Sequence, residues 1–130
     1  MTERVIPSPV IDLESKPFYE AAREGRFLIR RCIATGRYHW YPRALCPFSL
    51  GETEWVEASG RGEIYSYSVM RRADPPYAVA YVRLAEGPVM LTNLVGCDFD
   101  ALAVGQQVEV VLTPTAGDGA PVPCFRPAAD

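Results

Sequence analysis

Arg31-Cys32-Ile33-Ala34-Thr35-Gly36-Arg37-Tyr38-His39-Trp40, continued by Tyr41-Pro42-Arg43-Ala44-Leu45-Cys46-Pro47-Phe48-Ser49, has the frame of two metal-binding knuckles in which each second cysteine has been replaced. Thr35 stands in the second ligand position and Ser49 in the fourth. Tetrahedral zinc takes thiolate or imidazole, and a hydroxyl stays protonated at neutral pH and binds it poorly. The remnant positions Cys32, Thr35, Cys46 and Ser49 therefore predict a ribbon without a metal and a chain without a cofactor. Adding His39 would supply only a third ligand, where structural zinc sites use four. The expectation is that packing of Trp40, Tyr41, Phe48 and Trp55 holds the ribbon's shape, with a Cys32–Cys46 disulfide left open as an alternative.

Upstream, residues 13–26 carry Phe18, Ala21 and Ala22 at helical spacing, with Ser15 placed to cap, Pro17 in the first turn and Gly25 placed to end the helix. Residues 1–12 read as an extended arm, because Pro7 and Pro9 bias the residues before them away from helix. Residues 27–31 predict a strand into the ribbon, which closes at Glu54-Trp55-Val56. Beyond Ser59-Gly60-Arg61-Gly62, read as linker and turn, the hydrophobic period changes to two. In residues 64–71 this alternation places Tyr65, Tyr67 and Val69 on one face and Ile64, Ser66, Ser68 and Met70 on the other. Asp74-Pro75-Pro76 breaks that strand. Residues 77–84 and 89–95 then pair across the turn Ala85-Glu86-Gly87-Pro88. A short helical turn is expected at 98–103, and two last strands at 108–112 and 122–125. The fold class is mainly β: an amino-terminal arm and helix (1–30), a degenerate zinc ribbon (31–58) and a five-stranded OB-fold barrel (59–130).

At 130 residues and 48% hydrophobic the chain is long enough for a real core. Its net charge of −3 does not mark a general nucleic-acid binder, which shows a clearly basic domain. The charge is uneven, however, since the stretch from Gly25 to Gly51 holds five arginines (Arg26, Arg30, Arg31, Arg37, Arg43) and no acidic residue. Such a patch can meet phosphates or an acidic partner, because guanidinium pairs bidentately with phosphate and carboxylate. Residues 1–17 are charged and proline-punctuated without an apolar core, so no signal peptide is expected, and no run approaches the roughly 18 apolar residues of a membrane span. A cytoplasmic location with reduced cysteines is expected.

Catalytic frames are missing. His39, the only histidine, sits beside no recognisable nucleophile. There is no Gly-x-Ser-x-Gly elbow, phosphate loop or dinucleotide fingerprint. Cys97 and Cys124 lack a knuckle frame and read as packing residues.

Taken in order, Pro17-Phe18-Tyr19 with Gly25-Arg26-Phe27, the Cys32 and Cys46 knuckles, Tyr41-Pro42-Arg43, Ser59-Gly60-Arg61-Gly62-Glu63-Ile64-Tyr65-Ser66-Tyr67, Leu91-Thr92-Asn93-Leu94 and Pro123-Cys124-Phe125-Arg126-Pro127 span nearly the whole chain. Together they resemble the small bacterial and archaeal proteins that join an amino-terminal helix, a rubredoxin-like zinc ribbon and an OB-fold. That resemblance implies a non-catalytic accessory subunit in a hetero-oligomer with a thiolase-like enzyme: a thiolase, acyltransferase or retro-aldolase acting on acyl-CoA or related thioesters. It implies that the partner carries the chemistry. Arg37, Trp40, Tyr41, Arg43, Tyr65 and Tyr67 are the candidate partner or substrate contacts, since tyrosine, tryptophan and arginine are the residues of interface cores. The alternative is an OB-fold module that stacks single-stranded nucleic acid on a platform of Tyr65, Tyr67, Tyr77 and Tyr81, disfavoured because the barrel half is not basic.

Overall fold

In the computed structural model, which describes residues 5–128, the apolar trio of the first segment is buried on one side of helix α1 (Lys16–Arg23). The first four residues of the expected arm lie outside the described residues. Residue Ile6 of the arm is tied down by the Ala116 N–H, which donates to its carbonyl at 2.9 Å. α1 is shorter than the periodicity predicts because Asp12 and Ser15 close a turn on each other. The Ser15 hydroxyl accepts from the Asp12 N–H at 3.1 Å and the Asp12 carboxylate accepts from the Ser15 N–H at 2.8 Å. Ser15 is the N-cap by position, yet its hydroxyl makes no bond to the helix. The helix ends as expected at Gly25, whose φ of +82° is open to glycine at little cost. Eight residues are too few to be helical alone. Burial of Phe18, 2% exposed, supplies what propensity does not.

The ribbon is a three-stranded antiparallel sheet in the order β2-β1-β3, with β1 Leu28–Cys32, β2 Tyr38–His39 and β3 Thr53–Glu57. The two-residue β2 gives no periodic signal in the sequence. It forms because the first knuckle turns the chain back, setting His39 opposite Arg30. The barrel follows as β4 (Arg61–Met70), β5 (Tyr77–Leu84), β6 (Val89–Leu94), β7 (Gln107–Thr113) and β8 (Val122–Pro127). It closes in the order β4-β5-β6-β8-β7. All its pairings are antiparallel except β6 with β8, which meet at Leu94 and Phe125. The expected helical turn is a 3-10 turn at Phe99–Ala101, where the Asp98 carboxylate accepts from the Asp100 N–H. Among the described residues no helix is long and apolar enough to cross a membrane.

Two sequence expectations change in β4. Gly60-Arg61-Gly62 is not a linker, because β4 already begins at Arg61. A Cβ on Gly62 would stand 2.7 Å from the Arg83 carbonyl oxygen and Val82 Cγ1, so the absence of a side chain lets β4 and β5 close against each other. The second change concerns Tyr65 and Tyr67, which do not share a face. The register shifts between Ile64 and Ser66, so Ser66 pairs with the exposed Tyr81 while Tyr67 pairs with the buried Ala80. A bulge reverses the alternation of everything beyond it.

One apolar cluster joins all three segments. Phe18, Phe27 and Ile29 from helix and ribbon meet Ile64, Val82, Met90, Val108 and Phe125 from the barrel. Phe27 is the pivot, with ring centroids 6.2 Å from Phe18, 5.9 Å from Trp40 and 6.3 Å from Phe125. The ribbon is thereby held at a set angle on the barrel.

Candidate functional site

The two knuckles repeat one turn. Gly36 N–H donates to the Cys32 carbonyl and Leu50 N–H to the Cys46 carbonyl, each at 2.8 Å. The returning chain closes each loop, Cys32 N–H donating to Arg37 and Cys46 N–H to Gly51, again at 2.8 Å. These bonds bring the four knuckle positions together: both thiols are fully buried, and Cys32 Sγ lies 3.4 Å from Ser49 Oγ. Hydrogen bonds from the Ser49 hydroxyl, then from the Thr35 hydroxyl and N–H, with Cys46 last, hold the Cys32 thiol at about 6, down from an ordinary 9.0. Cys32 and Cys46 are free thiols.

His39 belongs to a different environment. It is 3% exposed, and its Nε2 accepts from the Arg43 N–H at 3.1 Å. That bond assigns the proton of the neutral ring to Nδ1, which has no partner among the described residues. Burial first, then the nearby guanidinium charges of Arg30 and Arg43, keep its pKa below 6.5. A ring so enclosed serves neither as a knuckle ligand here nor as a base for a nucleophile.

His39 also lines a cavity of about 560 Å³ at the seam between ribbon and barrel. Arg37, Trp40 and Phe48 form its ribbon wall, and the turn from Glu86 to Val89 forms its barrel wall. Arg37 stacks on Phe48 at 3.6 Å from the ring centroid, and Trp40 is half-buried beneath, 5.5 Å from both Phe18 and Tyr41. Tyr41 is exposed, with Arg43 over its ring at 5.5 Å. From Val89 the surface continues along the outer face of the barrel, where Arg83 lies 4.9 Å over Tyr65 and the exposed Tyr81 and Leu91 pair across β5 and β6. Arg37 and Trp40 share the cavity wall, Tyr41 with Arg43 over its ring lies next to Trp40 on the ribbon, and Tyr65 lies under Arg83 on the barrel. Trp40 is half-buried in the cavity wall, and Tyr67, beyond the bulge in β4, stays 37% exposed with its hydroxyl donating to the Leu102 carbonyl at 3.0 Å.

The arginine run is less naked than its sequence. Arg43 pairs with Glu14 at 3.6 Å and Arg31 with Glu54, its cross-strand neighbour, while Arg30 lies 4.2 Å over Trp55. The counter-charges come from outside the acid-free stretch, brought in by α1's approach and by β3. Among the described residues Arg37 has no ion pair. Sequence reasoning missed Arg83 and Leu91. Their outward alternation on the predicted hairpin was the available signal.

With this geometry in place, comparison with known proteins finds two family models in succession. Residues 20–56 match the rubredoxin-like zinc ribbon domain of ChsH2, and residues 55–113 its C-terminal OB-fold domain. A DUF35 domain-containing scaffold protein of Methanothermobacter thermautotrophicus is 33% identical over 97 residues, 68% of this chain and 73% of that protein. A solved structure, the Ltp2-ChsH2(DUF35) aldolase, contains a chain 34% identical, with a TM-score of 0.80 over 93% of this chain and 99% of that one. The chain belongs to the DUF35 family, with the ribbon and OB-fold of ChsH2. A probable enoyl-CoA hydratase alpha subunit of Thermomonospora curvata is 37% identical over 129 residues, 94% of this chain. This chain spans only 40% of that relative's length.

The family match corrects the expectation of no cofactor and no zinc, because the ribbon model over residues 20–56 points to zinc binding. Counting ligands one by one missed that the knuckle turns persist and keep the four positions converged. The donor chemistry nevertheless departs from the four nitrogen or sulfur ligands of a structural site. It consists of two thiolate formers and two hydroxyls, and among the described residues no group of three or more His, Cys, Asp or Glu converges. These donors do not by themselves fit a complete zinc site.

Proposed function

We propose that this chain is a non-catalytic accessory subunit of a thiolase-superfamily enzyme acting on acyl-CoA or related thioesters, joined to it in a cytoplasmic hetero-oligomer that it helps to assemble and to bind substrate. The observation that carries this reading is the match of nearly the whole chain to one chain of a solved aldolase. The surroundings of His39 support it: the buried ring has its Nε2 engaged by backbone and no nucleophile beside it, so the chemistry belongs to the partner. The partner contact is proposed on the surface that carries Arg37, Tyr41, Arg43 and Tyr65. Trp40 fixes the ribbon's angle beside that surface, and Tyr67 ties β4 to the Leu102 carbonyl.

The test is association of full-length variants with the native partner. A central aromatic or arginine anchor contributes on the order of 2 kcal/mol, so Arg37→Glu and Tyr65→Ala each weaken binding by about thirtyfold, and the partner's thioester activity falls in step. Lys16→Ala, on the exposed side of α1, leaves association unchanged. Full association of both site variants would move the interface elsewhere.

A further inference from the structure

At the opposite end of β5 from the turn beside the ribbon, a groove of about 730 Å³ opens between the β4–β5 connection, the loop after β6, and β7 with the start of the β7–β8 connection. We propose that this groove is a binding site for the uncharged apolar body, chain or ring, of a small molecule. The inference does not rest on the subunit reading.

Three observations carry it. The groove lies at the two connections where five-stranded barrels of this architecture take their ligands, and its volume falls in the range of small-molecule sites. Much of its wall is apolar, from Pro75, Pro76, Leu94, Val95, Phe99 and Val111. Its two arginines are already paired within the protein. Arg71 donates to the Asp100 carboxylate at 2.7 Å and Arg126 to that of Glu109 at 3.0 Å. Asp98 accepts from the Asp100 N–H, and the Thr113 hydroxyl donates to the Val111 carbonyl. An anionic ligand would have to displace a carboxylate from one of those arginines. A neutral apolar body has only water to displace, which favours it. The same pairing turns the groove away from nucleic acid, whose phosphates need cations that are free.

The groove contains its own reporter. Cys97 lines it and is half-buried, whereas Cys32, Cys46 and Cys124 are at 0% exposure. Burial, and secondarily the Asp98 charge, push the Cys97 thiol up, so it alkylates slowly and its rate responds to cover.

The experiment measures iodoacetamide modification of Cys97 in the full chain, resolved by peptide mapping, with decanol, decanoyl-CoA, free CoA or a ten-residue oligothymidylate present. At a ligand concentration ten times its dissociation constant, mass action predicts about tenfold slower modification. The expected result is protection by decanol and decanoyl-CoA, with less than about a twofold change from CoA or the oligonucleotide at the same concentration. Protection by decanol identifies a site open to any apolar body. Protection by decanoyl-CoA but not decanol identifies one that takes the acyl part of a thioester. Val111→Trp, which fills the groove, removes the ligand effect on the rate while circular dichroism shows the fold intact. Should that variant not fold, the wild-type ligand series decides alone. Failure of both decyl ligands to protect, or equal protection by CoA or oligothymidylate, overturns the proposal without touching the partner reading.

Discussion

Replacing Trp40 by alanine separates a residue that builds the ribbon–barrel joint from one that merely lies on a partner surface. Trp40 is half-buried and its ring meets Phe18 at 5.5 Å, Phe27 at 5.9 Å and Tyr41 at 5.5 Å. Truncation of a fully buried Phe or Trp costs 3–5 kcal/mol, so partial exposure puts Trp40→Ala at about 3 kcal/mol, including a part from the lost ring pairs. Urea unfolding of the isolated full chain, followed by far-ultraviolet circular dichroism, is the assay. With a slope of about 1.5 kcal/mol per molar urea, the midpoint falls by about 2 M at unchanged slope. Because one apolar cluster spans helix, ribbon and barrel, the loss appears in a single cooperative transition. A midpoint shift below about 0.5 M would show that the aromatic joint does not hold the ribbon in place. Two separate transitions would show that ribbon and barrel fold independently.

Gly62→Ala is expected to destabilise by about 1–3 kcal/mol in the same assay, since its new Cβ would press on the Arg83 carbonyl and Val82, and a neutral result would show that β4 and β5 can separate at no cost. In chelator-treated protein, stability rises with pH between about 6 and 9. Over that window the folded Cys32 thiol has released a proton that the unfolded thiol, near 9.0, still binds; the contribution is complete above 9 and gone below 6, and Cys32→Ser should flatten the slope. His39 adds a second slope in the same sense, its contribution present above 6.5 and lost as pH falls further, because burial disfavours the charged ring that the unfolded chain adopts. Completing the thiolate set with Thr35→Cys and Ser49→Cys raises zinc affinity above that of the unchanged chain in a chelator competition. Equal affinity would mean that the knuckles hold positions 35 and 49 too far apart to bind together.

Where local pattern and tertiary context agreed, the fold was legible. The spacing of Phe18, Ala21 and Ala22 announced α1's buried side, and alternation along residues 77–84 and 89–94 announced the hairpin that the structure pairs in register. The failures have separate causes. The bulge after Ile64 leaves no mark on an alternating string, so Tyr65 and Tyr67 were assigned one face and occupy two. The acid-free arginine run looked like a free cationic patch because the sequence does not show that β3 sets Glu54 beside Arg31 or that Glu14 reaches Arg43. Trp40 and Tyr41 are adjacent letters with different exposures, one in the joint and one at the surface. The knuckle positions were all legible. Their meaning was underread, because backbone turns that survive ligand substitution carry the ribbon's geometry as surely as the cysteines do. The groove beside Cys97 was invisible, being assembled from connections that meet only after the barrel closes.

Partnership is tested by purifying the tagged full-length chain from its own cells at endogenous level, with the co-eluting protein identified by mass spectrometry and assayed for acyl-CoA thiolysis, acyl transfer and retro-aldol cleavage. A thiolase-superfamily subunit should co-elute in fixed ratio, with activity in the complex and none in the isolated chain. Elution of the chain alone, in a fraction that turns over acyl-CoA unaided or that carries bound nucleic acid in place of an enzyme, would contradict partnership.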